Sequence, residues 1–408
     1  MRQINSLAYV QHAKVHIYPA IQIISQKNKG DSKMPQYYHL RFKLRTFKER
    51  MRATQALKRL RAKLDKDLPA KDSDQSLLLS TWNIRDFGKS GTRRGFGRRL
   101  PETWFYIAEI ISRFDMVAVQ EVGDLDEWNE VMDILGPNYD FIASDITDRS
   151  LGGNGERLLF VFDKRKVHFQ NIAGEIVLPT SMLITGNREG DSEELFTGKQ
   201  FRRTPYVCAF QAGWFKFSIC TVHIYYGSES GDKLTQRVEE IEKVAQFFAK
   251  RADEDLEEER ALILLGDFNI VHPDHKTMQA LNDQGFTVPE ALKLRTNFKQ
   301  DKFYDQIAFK NKPGVIEFIE GQGTDGKPNA GFISLFDEIM RPEDFEEYSE
   351  HAKATPNGQE MNDDDLKEYF SNWKTYQLSD HFPLWARIDI NSSDTYLDAL
   401  EKEFGKNV

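Results

Sequence analysis

Seven residues capable of hydrolytic chemistry stand at the ends of apolar runs: Asn83, Glu121, His223, Asp267, Asn269, Asp380 and His381. The runs are LLLSTWNIR (77–85), MVAVQEV (116–122), FSICTVHIY (217–225), ALILLGDFNI (261–270) and TYQLSDHFPLWARI (375–388). An unpaired carboxylate in an apolar interior carries a heavy desolvation cost, so a buried strand has little reason to end in one. Repeated over five runs, the pattern predicts a polar pocket where several strands terminate.

The chemistry follows from the residue types. Glu121, Asp267 and Asp380 are hard oxygen ligands, and Asn83 and Asn269 add neutral oxygens or amide donors. Few protein ligands with retained waters suit Mg²⁺ when a phosphate completes the shell. Mn²⁺ or Ca²⁺ are the alternatives, and no histidine or cysteine cluster has zinc spacing. Such a metal would neutralise a phosphoryl group and steady a leaving oxygen. Asp380 and His381 are adjacent, so on an extended segment their side chains face opposite ways. A catalytic histidine needs a carboxylate to fix its tautomer and raise its basicity. Glu156 in GGNGERLLFVF and Asp305 in FYDQIAF are the candidates, giving the pairs Glu156–His223 and Asp305–His381. Either pair could orient water or protonate a departing alkoxide. Taken singly, each residue has a plainer reading: a core histidine, a turn aspartate, a capping acid. Their joint, ordered occurrence favours the site.

The elements that must position them are interleaved strands and helices from about Leu77 to Ile390. Pro101–Arg113 reads as a helix with proline in its first turn, and Leu234–Arg251 as another with charge pairs at helical spacing. ERLLFVFDKRKVHF, PYVCAFQAGWFKFSICTVH and FYDQIAF read as strands and hairpins. Ahead of them, residues 41–66 read as a basic amphipathic helix with an apolar stripe of Leu44, Phe47, Met51, Leu57, Leu60 and Leu64. It either packs on the body or contacts a nucleic acid, a membrane surface or a partner. Lys89–Arg99 is a Gly/Arg loop, and residues 320–375 are acidic, loop-rich and partly helical. The expected organisation is a poorly defined segment 1–33, a basic helical extension 34–74, a catalytic domain 75–392 and a C-terminal helix or tail 393–408.

The chain has 408 residues and a formal net charge of −9. Residues 1–71 nevertheless hold a surplus of about a dozen positive charges, leaving an acidic body. An acidic body argues against gripping a polyanion through bulk charge, so any nucleic-acid contact is local and metal-assisted. Two cysteines, Cys208 and Cys220, make no disulfide framework and read as buried thiols. No stretch is long and apolar enough for a membrane span, and the first residues lack the continuous apolar core of a signal peptide. The expectation is cytoplasmic, with no protein partner inferable.

The ordered set TWNIR, VQEV, GNGER, RRTP, TVH, GDFN, YDQI and SDH resembles the endonuclease/exonuclease/phosphatase superfamily, and within it deoxyribonuclease I-like nucleases. The resemblance covers roughly residues 75–392. It implies a four-layered α/β sandwich of two packed, mainly antiparallel sheets flanked by helices, here with the basic helical extension at the N-terminus. It also implies metal-dependent hydrolysis of a phosphodiester, DNA being the expected partner, by in-line attack of water. By motif, Asn83, Glu121 and Asp380 would serve the metal, with Glu121 its direct ligand. Asp267 would activate the water and Asn269 hold a phosphate oxygen. His381 with Asp305 would stabilise the charge at phosphorus, with His223 and Glu156 as second dyad. Arg203, in RRTP, would contact phosphate.

Within the superfamily, LLGDFNIV and FYDQIAF depart from the WxGDxNYR and WTDRI strings of inositol polyphosphate 5-phosphatases. The Glu156–His223 pair departs from abasic-site endonucleases. Sphingomyelinases carry a secretion signal and an apolar hairpin not evident here. Two departures from deoxyribonuclease I bear on substrate: Gly123 where that enzyme has a groove-entering arginine, and Asn154 where it has a tyrosine packing on sugar. Arg93, Arg94, Arg98 and Arg99 offer another grip on phosphate. A lipid or small-molecule phosphate as substrate, or an inactive scaffold, are the alternative readings.

Overall fold

The computed structural model describes residues 35–71, 74–89, 95–146, 155–184, 199–257, 260–310, 318, 321–391 and 393–405. The segment 1–33, Arg93, Arg94 and Asn154 lie outside them.

Period-two apolar patterning fixes the layers. In β1 (Ser76–Phe87), Leu77 and Leu79 face one core while Leu78, Trp82 and Ile84 face another. The remaining strands are β2 (Met116–Val122), β3 (Tyr139–Ala143), β4 (Arg157–Asp163), β5 (Val167–Glu175), β6 (Tyr206–Ala212), β7 (Phe215–His223), β8 (Ala261–Asp267), β9 (Asp305–Lys310), β10 (Ala330–Phe332) and β11 (Leu384–Asp389). Among the described residues they form one sheet in the order β10-β11-β1-β2-β4-β3 and a second in the order β5-β6-β7-β8-β9. The first core lies between the sheets. It joins Leu77, Leu79, Met116, Ala118 and Phe160 to Phe210, Phe217, Ile219 and Leu265, and extends to the helix Gly231–Glu257 through Ile241, Val244 and Phe248. The second core lies between the six-stranded sheet and the helices Phe47–Asp67, Pro101–Ile111, Leu125–Leu135, Phe345–Lys353 and Asp363–Gln377. The result is a helix–sheet–sheet–helix sandwich. Among the described pairs, β1–β2 and β7–β8 are the parallel ones. The remaining described pairs are antiparallel, so the fold expected from the sequence is the one observed.

Two local expectations need correction. The helix Phe47–Asp67 starts at a capping box of Thr46 and Glu49. Its buried stripe, however, is Ala53, Ala56, Leu57, Leu60 and Leu64, while Phe47 and Met51 are exposed. Small alanines let the helix approach the body more closely than the larger side chains would. Arg52 is buried with it and meets Glu102 at 2.5 Å, so part of the basic character serves packing. Second, TYQ of the run 375–388 closes the helix Asp363–Gln377, and the strand begins only at Leu384. Asp305, expected to back His381, is the fully buried first residue of β9. The cysteines are free and buried, as expected.

Candidate active site

Each sheet brings its own parallel pair to the site. In the five-stranded sheet, His223 on β7 is the register partner of Asp267 on β8, and Asp267 is the partner of Asp305 on β9. Register partners point the same way, so the three form a row across three strands. Gly266, just before Asp267, permits this close pairing. A Cβ there would lie 2.2 Å from the Val222 carbonyl oxygen, and φ is +131°.

In the six-stranded sheet, Asn83 follows Leu77, Leu79 and Thr81 onto the inter-sheet face. Glu121 would not do so by simple alternation, because it shares parity with Val117 and Val119, which face the helices. The register breaks between Asn83↔Gln120 and Phe87↔Val122, and Glu121 sits in that bulge with φ +65°. Arg85 and Asp86 are left-handed too. The bulge re-aims the carboxylate: Oε2 accepts from the Asp86 N–H at 2.8 Å and Oε1 from the Asn83 amide at 2.9 Å. The same Asn83 NH₂ donates to Asp267 Oδ2 at 3.0 Å, joining the two sheets. Directly beneath, buried Gln120 donates to Thr81 Oγ1 (3.0 Å) and Thr221 Oγ1 (2.9 Å), a polar rung between the sheets.

Both dyads form as the sequence pairs them. His223 Nδ1 lies 2.6 Å from Glu156 Oε1, and His381 Nδ1 lies 2.9 Å from Asp305 Oδ2, which also accepts from Thr296 Oγ1 at 2.6 Å. The two Nε2 atoms are thereby turned to the centre, 3.6 Å and 3.8 Å from Asp267 Oδ2. Burial opposes the charge on His223, and Arg203 adds to that, but Glu156 and Asp267 outweigh both and raise its pKa. Burial likewise opposes charge on His381, yet Asp305, Asp267 and Asp380 hold it well above the usual histidine value. Burial would raise Glu156, but His223, Arg203 and Lys89 hold it well below the carboxylate range.

The remaining expected residues are placed as follows. Asn269 takes φ +52° in the turn after β8. Its side-chain amide donates to Ile224 O at 2.7 Å and its backbone N–H to Asp267 Oδ1 at 2.9 Å. Arg203 Nε lies 2.5 Å from Glu156 Oε1, so Arg203 is bound up with the dyad. Asp380 lies in the bend before His381 and pairs with Arg85 Nη1 at 3.1 Å, outside both dyads. Asn83 Oδ1 accepts from the Arg85 N–H, so its amide nitrogen faces the carboxylates.

For a metal, Glu121 Oε1 and Asp267 Oδ2 converge within 3.0 Å of one amide nitrogen, while Glu156 and Asp305 are occupied by their histidines. Glu121, part-exposed and fixed by the Asp86 N–H and the Asn83 amide, is a hard oxygen donor of the type a cation of the Mg²⁺ kind takes. The ligand atoms of Glu121, Glu156 and His223 lie within 4.8 Å of one another, as do those of Asp267, Asp305 and His381.

Sequence reasoning missed several contributors. Fully buried Arg237 donates to the carbonyls of Asn269 (2.8 Å), Tyr226 and Ser228, tying the turn after β8 to the loop after β7. Lys89 Nζ lies 2.7 Å from Asp86 Oδ1 and 3.5 Å from Glu156 Oε2, and its stem crosses Gly123, where a Cβ would meet Lys89 Cγ at 2.8 Å. The space left by the glycine is therefore filled by a neighbouring cation. Arg99 is no phosphate grip. It is buried and donates to the carbonyls of Ile84, Arg85, Gln377 and Leu378, while Arg98 is exposed. No local pattern marks an arginine that serves main-chain carbonyls.

No family model matches the chain. A protein named "Deoxyribonuclease" from Thioalkalivibrio sp. (strain K90mix) is 29% identical over 205 residues, 49% of this chain and 47% of that protein. The chain resembles a deoxyribonuclease. The match spans about half the length of that relative. Among solved structures, an endonuclease/exonuclease/phosphatase family protein from Bacteroides thetaiotaomicron is similar over 78% of this chain and 98% of that one, at 16% identity and TM-score 0.44. The mannosyl-6-phosphatase Bt3783 of Bacteroides thetaiotaomicron VPI-5482 has the same identity and TM-score, over 78% and 100%. D. rerio TDP2 complexed with single strand DNA product gives 12%, over 78% and 100%, at 0.46. Likeness at that level says nothing about activity. No described helix is long and apolar enough to cross a membrane.

Proposed function

We propose that the chain is a Mg²⁺-dependent phosphodiesterase that hydrolyses DNA phosphodiester bonds by in-line attack of water. The observation that carries this reading is the pair of buried carboxylate–histidine dyads facing one Asp267 oxygen, with Glu121 beside it. Glu121 would hold the metal, which supplies charge neutralisation at the phosphoryl group and at the leaving oxygen. Asp267, fixed by the Asn83 amide and the Asn269 N–H, orients a water and takes its proton as the new P–O bond forms. Asn269 has one amide hydrogen committed to Ile224 O, which leaves the other for a phosphate oxygen. His381, kept cationic by Asp305, stabilises the negative charge that builds on phosphorus. As the P–O bond to the leaving group breaks, the raised pKa of His223 lets it give the departing alkoxide a proton, while Glu156 keeps the ring oriented. Arg203 and Lys89 balance the charge of Glu156, and Arg203 would also contact an incoming phosphate.

The test is to incubate the chain with supercoiled plasmid, single-stranded DNA, RNA and phosphoinositides, with Mg²⁺ or with EDTA. Cleavage of DNA that needs metal and is lost in His381→Ala supports the reading. Release of phosphate from the lipid alone overturns it in favour of a phosphatase, and no turnover anywhere points to a scaffold.

A further inference from the structure

The loop after β7 and the strand entry before β9 place two tyrosines in a row that ends on a catalytic histidine. Tyr304 lies with its ring centroid 5.7 Å from that of His381, the planes inclined by 30°. Tyr226 meets Tyr304 edge to face at 6.0 Å. Neither ring belongs to either hydrophobic core, and Tyr226 is 39% exposed. Core packing therefore does not account for Tyr226, and Tyr304 is only part-buried. They are nevertheless held firmly. The Tyr226 carbonyl is fixed by buried Arg237, whose guanidinium also lies 4.6 Å from the Tyr226 ring centroid. The same arginine holds Asn269 O, so the row is fastened to the turn that carries the proposed phosphate-binding residue. The adjoining Tyr225 has the Arg202 guanidinium over its ring at 3.9 Å, which adds a cation to the same loop.

We infer that Tyr226 and Tyr304 form a stacking platform for an unpaired base next to the scissile phosphate, making single-stranded or frayed DNA the favoured substrate. This deepens the function proposed above and rests on it. Stacking on an aromatic ring is indifferent to base identity, because every base has a π-face. In an intact duplex those faces are covered by neighbouring pairs, and exposing one costs unstacking. A preformed, rigid ring beside His381 rewards a nucleotide that is already exposed. The acidic body works in the same direction, since binding by bulk charge is weak and local stacking then decides affinity.

The test is a coupling measurement on the full chain. A labelled single-stranded oligonucleotide, the same strand carrying one abasic position scanned along it, and a blunt duplex are titrated with Mg²⁺ on the Asp267→Asn background by fluorescence anisotropy. Tyr226→Ala, whose fold is checked by thermal melting, should weaken the intact single strand roughly ten-fold, with Tyr226→Trp restoring it. At one abasic position the substitution should bring no further loss. Equal loss on every strand and on the duplex, no loss, or no binding of single strands would each overturn the platform. Parallel incubations of the parent chain with Mg²⁺ keep the two readings apart: absence of cleavage sinks the nuclease, whereas the titrations decide the platform without turnover.

Discussion

His223 and His381 aim their Nε2 atoms at the same carboxylate oxygen, Asp267 Oδ2, from opposite dyads. One carboxylate between two raised-pKa imidazoles divides labour well. The acid accepts a proton, one ring donates one, and the other remains charged.

That arrangement predicts unequal effects of substitution. Asp267→Asn and His381→Ala should each lower kcat/KM on a DNA diester by at least about 10²–10³-fold. Asp305→Asn removes the charge that raises His381, so the loss of activity at alkaline pH should begin at lower pH than in the parent. Steady-state pH profiles check this. An unmoved alkaline limb would separate Asp305 from the ionisation of His381.

The basic N-terminal helix should matter for stability. Arg52 and Glu102 form an ion pair with 5% and 1% of their side chains exposed, and the Tyr348 hydroxyl also donates to Glu102. Arg52→Ala leaves a buried carboxylate without its counter-charge, at an expected cost of about 3–5 kcal/mol. Urea unfolding of the variant, and of Arg52→Met with Glu102→Gln, measures it. The double change should recover much of the loss, because no lone buried charge remains. A loss of only a few tenths of a kcal/mol in Arg52→Ala would refute the reading.

Acid stability should depend on Asp163. Burial would raise its pKa, but Arg165 and Lys71 prevail and hold it at about 2, below the ordinary aspartate value of 3.8. A depressed carboxylate contributes stability that is complete above its unfolded value and is lost as pH falls through the folded one. Asp163→Asn should therefore melt lower than the parent at pH 6, with the gap closing between about pH 4 and pH 2. Melting curves across that range decide it, and a gap independent of pH would exclude the ion pair as its origin.

Much of this site was legible because its residues break local rules. Asn83, His223 and Asp267 end runs that are otherwise apolar, and a charge at a buried strand end announces itself. Parity failed at Glu121, which reaches the site only through a bulge that alternation cannot foresee. The buried arginines Arg99 and Arg237 were opaque for another reason: their partners are main-chain carbonyls, which leave no trace in side-chain identity. Phe47 and Met51 misled because size was taken for burial, when Ala53 and Ala56 give the closer approach.

The rung of Thr81, Gln120 and Thr221 also has a bearing on how activity arises during folding. Each sheet carries half of the reactive groups, and neither half can recognise a phosphate alone. Activity is thus a readout of docking between the halves rather than of strand formation. On refolding, catalysis should reappear after circular dichroism has recovered, and a loosened rung would widen that delay before it changed any spectrum.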